Sequence, residues 1–214
     1  SSTGVGLTAG VVKEHDEWIL DAGALALANG GTVIIDEFDK IKTKEQKQLL
    51  TPMENGAIPI NKAGVNTELS ADTGIIALAN PKEGKFDTYK TLKEQVTLYP
   101  PLATRFDIIM LMEDKPEVDK DKAIAETILN QYVGNPEDDG QEDLIPKELV
   151  KKYVHYAKEN YNPVLSDDLI NKMKEDYCNL RREVGSFVPR HLQAMIRVTQ
   201  AIAKLKLKDE CTIE

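Results

Sequence analysis

Two adjacent acids, Asp36 and Glu37, follow the apolar run Val33, Ile34 and Ile35, which Gly30 and Gly31 open. An all-apolar run bounded by glycines predicts a buried strand in a parallel sheet. Acids at the carboxyl end of such a strand call for an explanation beyond packing. A buried carboxylate is costly unless it is paired, hydrogen-bonded or bound to a cation. In open α/β sheets that end of the strands is where ligand crevices form. The chemistry this pattern allows is the acidic half of a nucleoside-triphosphatase site. Asp36 would hold Mg²⁺, directly or through water, and Glu37 would polarise the attacking water. The plainer reading of the same residues is a strand followed by an acidic helix N-cap. TGIIALANP, residues 73 to 81, predicts a second buried strand, ending on Asn80. Its amide either touches a γ-phosphate or the lytic water, or prepares the turn before Pro81. Arg105 sits at a helix–strand junction in PPLATRFDIIMLMED. It is either a surface salt-bridge residue or a positive finger reaching a nucleotide in a neighbouring subunit.

These side chains need a scaffold, and the pattern supplies one. Residues 5 to 13 and 17 to 22 predict a β-hairpin with its tip near His15 and Asp16. Residues 22 to 29 predict a short helix that Asn29-Gly30-Gly31 stops before the acidic strand. TKEQKQLLTPME, 43 to 54, predicts a helix with Thr43 as N-cap, which Pro52 bends or ends early. Residues 57 to 70 predict a second hairpin around Lys62-Ala63-Gly64; by local pattern Lys62 is a solvated turn lysine. A loop rich in Lys, Glu and Pro fills 82 to 101, followed by a short helix and a strand over IIMLM. From 116 onward the period is helical: 116 to 134, then an acidic linker at 135 to 143, then 145 to 161, 166 to 184 with a Ser166 cap, and 188 to 208. The expectation is a β-containing core over 1–134 and an all-helical lid over 135–214.

Composition narrows the function classes. With a hydrophobic fraction of 41%, a charged fraction of 29% and a net charge of −9, the chain reads as an ordinary globular protein. It lacks a whole-surface basic field, so any nucleic-acid contact must be local. Cys178 and Cys211 read as reduced thiols rather than a zinc site or disulfide framework. His15, His155 and His191 share no metal-ligand spacing, and no G-x-S-x-G nucleophile signature is present. Tyr153, Tyr156 and Tyr161 read as helix packing. No apolar run approaches the roughly 20 residues a bilayer requires, and the expectation from these residues is of no signal peptide. The start SSTGVGL, without Met, suggests a fragment or processed product.

Taken together, these residues resemble the AAA+ ATPase core of the minichromosome maintenance (MCM) family of replicative DNA helicases, across almost the whole chain. GLTAGVVKEHDEWILDAGALALANGG is similar to the family segment that carries the helix-2 insert hairpin. GTVIIDEFDK resembles its Walker B motif, and INKAGVNTELSA its pre-sensor-1 hairpin, with Lys62 in the place of the tip lysine. ALANP resembles sensor 1, which puts that role on Asn80. LATRFDIIM resembles the segment carrying the arginine finger, here Arg105. VPRHLQAMIRV resembles the lid segment whose arginine, here Arg190, serves as sensor 2.

The resemblance implies an α/β core of the AAA+ P-loop NTPase type, a parallel sheet with helices and two β-hairpin inserts, followed by the helical lid. It implies ATP and Mg²⁺ at the interfaces of a homo-oligomeric ring, a hexamer, or of a ring with other MCM subunits. One subunit supplies Asp36, Glu37 and Asn80; its neighbour supplies Arg105 and Arg190 in trans. The hairpins face DNA in a central channel, where Lys62 meets phosphates, so positive charge is needed only there. Localisation would be cytoplasmic and nucleoid-associated for an archaeal-type protein, nuclear for a eukaryotic one.

The sequence departs from the family in three respects. No G-K-[ST] of a Walker A loop occurs in these residues, so this chain alone is expected not to bind ATP tightly. The helix after Walker B reads QLLTPMEN, where the family usually has something like HEAMEQ, and Gln46 stands where an arginine is often found. The family's amino-terminal DNA-binding domain and winged helix are not within it. Two alternatives therefore stand beside the motor: a truncated, non-catalytic subunit donating only Arg105 and Arg190, and a related Mg²⁺-chelatase-like ATPase, against which IDEFDK argues.

Overall fold

The structure is a computed structural model. It describes residues 4–14, 17–62, 64–87, 89–113, 115–133, 145–185 and 187–213. The expected hairpin tip at His15 and Asp16 and the linker at 135 to 143 lie outside the described residues. Two compact units divide the chain, Ser1–Ile109 and Met110–Glu214.

The first unit opens with α1 (Gly4–Leu7) and the antiparallel pair β1 (Ala9–Glu14) and β2 (Glu17–Ala22). A short α2 (Ala24–Leu27) follows. Gly23, at its start, donates its N–H to the Thr8 carbonyl at 2.9 Å. A Cβ here would come within 2.6 Å of that oxygen, so only glycine lets the two backbones approach. β3 (Thr32–Ile35) carries the apolar run into the acids. A 3₁₀ turn, Phe38–Lys40, comes next.

The helix expected over 43–54 is broken into α3 (Thr43–Gln46), a 3₁₀ turn (Lys47–Leu49) and α4 (Leu50–Asn55). Pro52 has no N–H to continue an α-helical ladder, and the tighter turn precedes it. Lys42 rather than Thr43 occupies the N-cap, with no side-chain cap. Gly56 ends α4 in the left-handed region at φ 64°, its N–H bonded to the Pro52 carbonyl. The second hairpin is β4 (Ala57–Lys62) with β5 (Val65–Ser70), antiparallel in the expected place. β6 (Gly74–Ala77) then pairs in parallel with β3, residue for residue from Thr32–Gly74 to Ile35–Ala77.

Two short helices complete this unit, α5 (Leu92–Gln95) and α6 (Pro100–Ala103). No strand forms over 108–112, although the sequence predicts one. Its apolar side chains are exposed, and no described strand pairs with them. An extended segment without a ladder partner lacks what makes it a strand.

The core of this unit gathers Leu25, Ile35, Phe38, Leu49 and Leu102, all nearly or fully buried. Phe38 meets Phe106 edge-to-face, with centroids 6.0 Å apart. The opposite face of the β3–β6 pair stays open, with Ile34 66% and Ile76 50% exposed. Phe38→Ala should lower unfolding stability by about 3–5 kcal/mol, through forfeited transfer energy and a cavity. Urea unfolding followed by circular dichroism checks this; an unmoved midpoint would remove Phe38 from the core.

The second unit holds α7 (Val118–Val133), α8 (Lys147–Asn160), α9 (Asp167–Val184) and α10 (Pro189–Leu205). The two-residue strands β7 (Val164–Leu165) and β8 (Glu210–Cys211) pair in parallel. The Ser166 hydroxyl accepts the Leu169 N–H at 3.3 Å, the expected cap of α9. Leu169, Met173, Ala203 and Cys211 form the small core. Burial there pushes the Cys211 thiol pKa up, and the Glu210 charge adds to it. Tyr153 donates its hydroxyl to the Leu205 carbonyl at 2.6 Å, tying α8 to the end of α10. On α7 the apolar positions Ile124, Ile128 and Leu129 are exposed. Among the described residues no helix is long and apolar enough to cross a membrane.

Candidate functional site

Parallel pairing of β3 with β6 brings the carboxyl ends of the two predicted strands side by side, and with them Asp36, Glu37 and Asn80. The ladder runs one step past the strands: Leu78 N–H bonds the Ile35 carbonyl at 2.9 Å, and Phe38 N–H bonds the Leu78 carbonyl at 2.8 Å. Between these bonds the chain must turn sharply, and Glu37 takes the left-handed conformation, φ 51° and ψ 41°. Such a conformation costs a non-glycine residue roughly 1–3 kcal/mol and persists only where the surroundings impose it. Here the Asp36 carboxylate accepts the Glu37 N–H at 2.7 Å. The outcome is two exposed carboxylates at the mouth of the strand pair. Asn80 is exposed beside them, its backbone N–H held by the Asp39 carboxylate at 3.0 Å.

Asp39 is a residue of the site that the sequence reading does not single out. Its side chain is only 11% exposed, and it fixes the Asn80 backbone to the segment that bears the acids. Its place in the IDEFDK block is the signal that could have found it. Asp36 and Glu37 offer hard oxygen donors where a strand pair ends, which suits Mg²⁺, an ion held by one or two carboxylates with phosphate and water completing the shell.

Arg105 follows α6 and packs back on α4. Its Nη2 pairs with the Glu54 carboxylate, and its Nη1 donates to the Pro101 carbonyl at 3.4 Å. The side chain is 12% exposed, and its Nε is buried with no hydrogen-bond partner among the described residues. Glu54 is a second residue that sequence reasoning misses; it is 51 positions from Arg105, beyond any local pattern. Lys62 is the last residue of β4, opposite Val65 in the register, as the hairpin reading expects; its side chain lies outside the described residues. Arg190 lies in the second unit, half-buried in the first turn of α10 just after Pro189.

The sequence that builds this strand-end acid pair also matches known families. A family model described as the MCM P-loop domain matches residues 1–132, and one described as the MCM AAA-lid domain matches residues 148–214. The chain belongs to the MCM family. Among its relatives are the DNA replication licensing factor MCM2 of Arabidopsis thaliana, 36% identical over 100% of this chain, and the minichromosome maintenance protein MCM of Saccharolobus solfataricus, 33% identical over 100%. The zygotic DNA replication licensing factor mcm6-A of Xenopus laevis is 36% identical over 98%. The chain spans 25%, 32% and 26% of these relatives' lengths. As an MCM P-loop domain with its lid, it has the α/β class and the helical carboxyl-terminal part that the sequence leads one to expect.

Proposed function

We propose that these residues are part of the ATPase motor of a hexameric MCM-type replicative DNA helicase, divided into a core over 1–134 and a lid over 135–214. The observation that carries this reading is the meeting of Asp36, Glu37 and Asn80 at the carboxyl ends of β3 and β6 in an MCM-family chain. Asp36 would hold Mg²⁺, which when bound screens the negative charge of the phosphate oxygens. Glu37 orients the attacking water and accepts its proton. The Asn80 amide hydrogen-bonds the γ-phosphate or that water. Arg105 of a neighbouring subunit meets negative charge that develops on the equatorial oxygens in the transition state, and Arg190 acts there in trans as well. The two hairpins contact DNA in the channel, with Lys62 on the phosphates.

The full-length protein is expected to unwind a forked duplex only with ATP; failure to unwind under any nucleotide would overturn the reading. Lys62→Ala should weaken DNA binding across all sequences. It should also flatten the salt dependence of log K by about one unit for each phosphate left without its lysine. ATP hydrolysis by this variant without DNA should stay near wild type. Unchanged unwinding would return Lys62 to an ordinary turn lysine.

A further inference from the structure

Gln46 is fully buried, which is rare for a polar side chain, and every part of its carboxamide is engaged. Its Nε2 donates to the Ile41 carbonyl and to the Thr97 carbonyl, each at 3.0 Å, and its Oε1 accepts the Tyr99 N–H at 2.7 Å. Two acceptors facing the nitrogen and one donor facing the oxygen leave a single orientation for the amide. Two of the three bonds end on backbone groups that bear on the site. Ile41 closes the 3₁₀ turn that follows Glu37. Tyr99 is the N-cap of α6, and its carbonyl accepts the N–H groups of Leu102 and Ala103. The Arg105 N–H in turn bonds the Leu102 carbonyl at 2.9 Å. Lys47, next to Gln46, lies over the Tyr99 ring with its Nζ 5.2 Å from the centroid. One side chain thus joins the segment after the acids to the start of the turn that delivers Arg105. Glu54, farther along the same segment, grips the guanidinium.

We propose that Gln46 is a positioning residue for Arg105: it ties the acidic half of one nucleotide site to the arginine the subunit offers to the next. An arginine at this position has donors only and would leave the Tyr99 N–H without an acceptor. The proposal rests on the reading of Arg105 as a residue that acts in trans.

The test uses full-length protein in mixed rings. Subunits carrying Glu37→Gln keep Arg105, and subunits carrying Arg105→Ala keep Glu37; their mixture should hydrolyse ATP at composite sites. If the mixture stays inactive, the trans reading of Arg105 fails, and the proposal for Gln46 falls with it. Gln46→Met, which keeps the volume and removes all three hydrogen bonds, is then added to one partner at a time. In the Glu37→Gln partner, which donates the arginine, turnover should fall by about 10- to 100-fold, as a displaced catalytic group does. In the Arg105→Ala partner the loss should be much smaller. Equal losses in the two arms, or none in either, overturn the proposal. If Gln46→Met does not assemble, Gln46→Glu, which retains the acceptor for Tyr99, takes its place in the same arms. Failure of both variants to assemble also overturns it, because Gln46 then serves the fold and not the finger.

Discussion

Glu37→Gln in the full-length protein should reduce ATP turnover by about 10²–10⁴-fold, the usual contribution of a positioned general base, while ATP binding persists. The substitution isolates the carboxylate. Gln has the same Cβ and the same length, so the left-handed backbone at φ 51° carries the same strain in both proteins. The Glu37 hydrogen bond to the Asp36 carboxylate is donated by the backbone N–H and survives too. What changes is one negative charge and one proton acceptor at the mouth of the β3–β6 pair. Nucleotide affinity depends instead on contacts to the phosphates, which Gln does not remove. Titration with a fluorescent ATP analogue and a phosphate-release assay separate the two quantities. Retained turnover with intact binding would deny Glu37 its role and leave the strained turn as a structural feature. Loss of binding together with turnover would instead make Glu37 a part of the nucleotide cradle.

The features legible in the sequence are those set by short-range pattern. The apolar stretches at 5–13 and 17–22, and the alternation over 57–70, announce two hairpins, and both form, the first from Ala9 onward because Gly4–Leu7 is helical. The run Val33–Ile35 and the run over Ile75–Ala77 announce two strands, and parallel pairing follows because the helical segments and second hairpin between them provide the crossover. That pairing is why Asp36, Glu37 and Asn80, read at two separate strand ends, lie side by side.

Long-range contacts are not legible in this way. Gln46 finds Tyr99 and Arg105 finds Glu54 across 53 and 51 residues, and nothing in the local spacing marks either pair. Pattern fails in a second way at 108–112. IIMLM has the composition of a strand, but a strand exists only where a neighbouring edge accepts its hydrogen bonds, and composition does not say whether one does. Ile124, Ile128 and Leu129 of α7 make the same point for a helix. Their 3.6-residue period announces the helix that forms, yet it does not say what covers the apolar face.

Arg105→Ala should lower turnover by about 10³-fold or more, the range in which arginine fingers act in phosphoryl transfer. The structure sets this outcome against a specific alternative, that Arg105 is no more than the partner of Glu54. Glu54 is 46% exposed at its side chain but Arg105 only 12%, so the pair is half-buried and its loss costs more than the about 0–1 kcal/mol of a fully exposed pair. If the pair were the whole role, Arg105→Ala and Glu54→Ala would each cost stability and leave turnover alone. The guanidinium argues otherwise. Its Nη2 is held by Glu54 and its Nη1 by a long bond to Pro101, while Nε is buried without a partner among the described residues. A buried N–H left unsatisfied costs about 1–3 kcal/mol, and a residue that served only to hold α4 could be oriented without that cost. Arg105→Lys should recover little, because an ammonium supplies a point charge without the planar fork that meets two phosphate oxygens at once. Melting temperature and turnover measured on the same Arg105→Ala preparation decide between the readings. A drop in melting temperature with turnover near wild type returns Arg105 to the role of a salt-bridge residue; a collapse of turnover at a temperature where the variant is still folded makes it the finger.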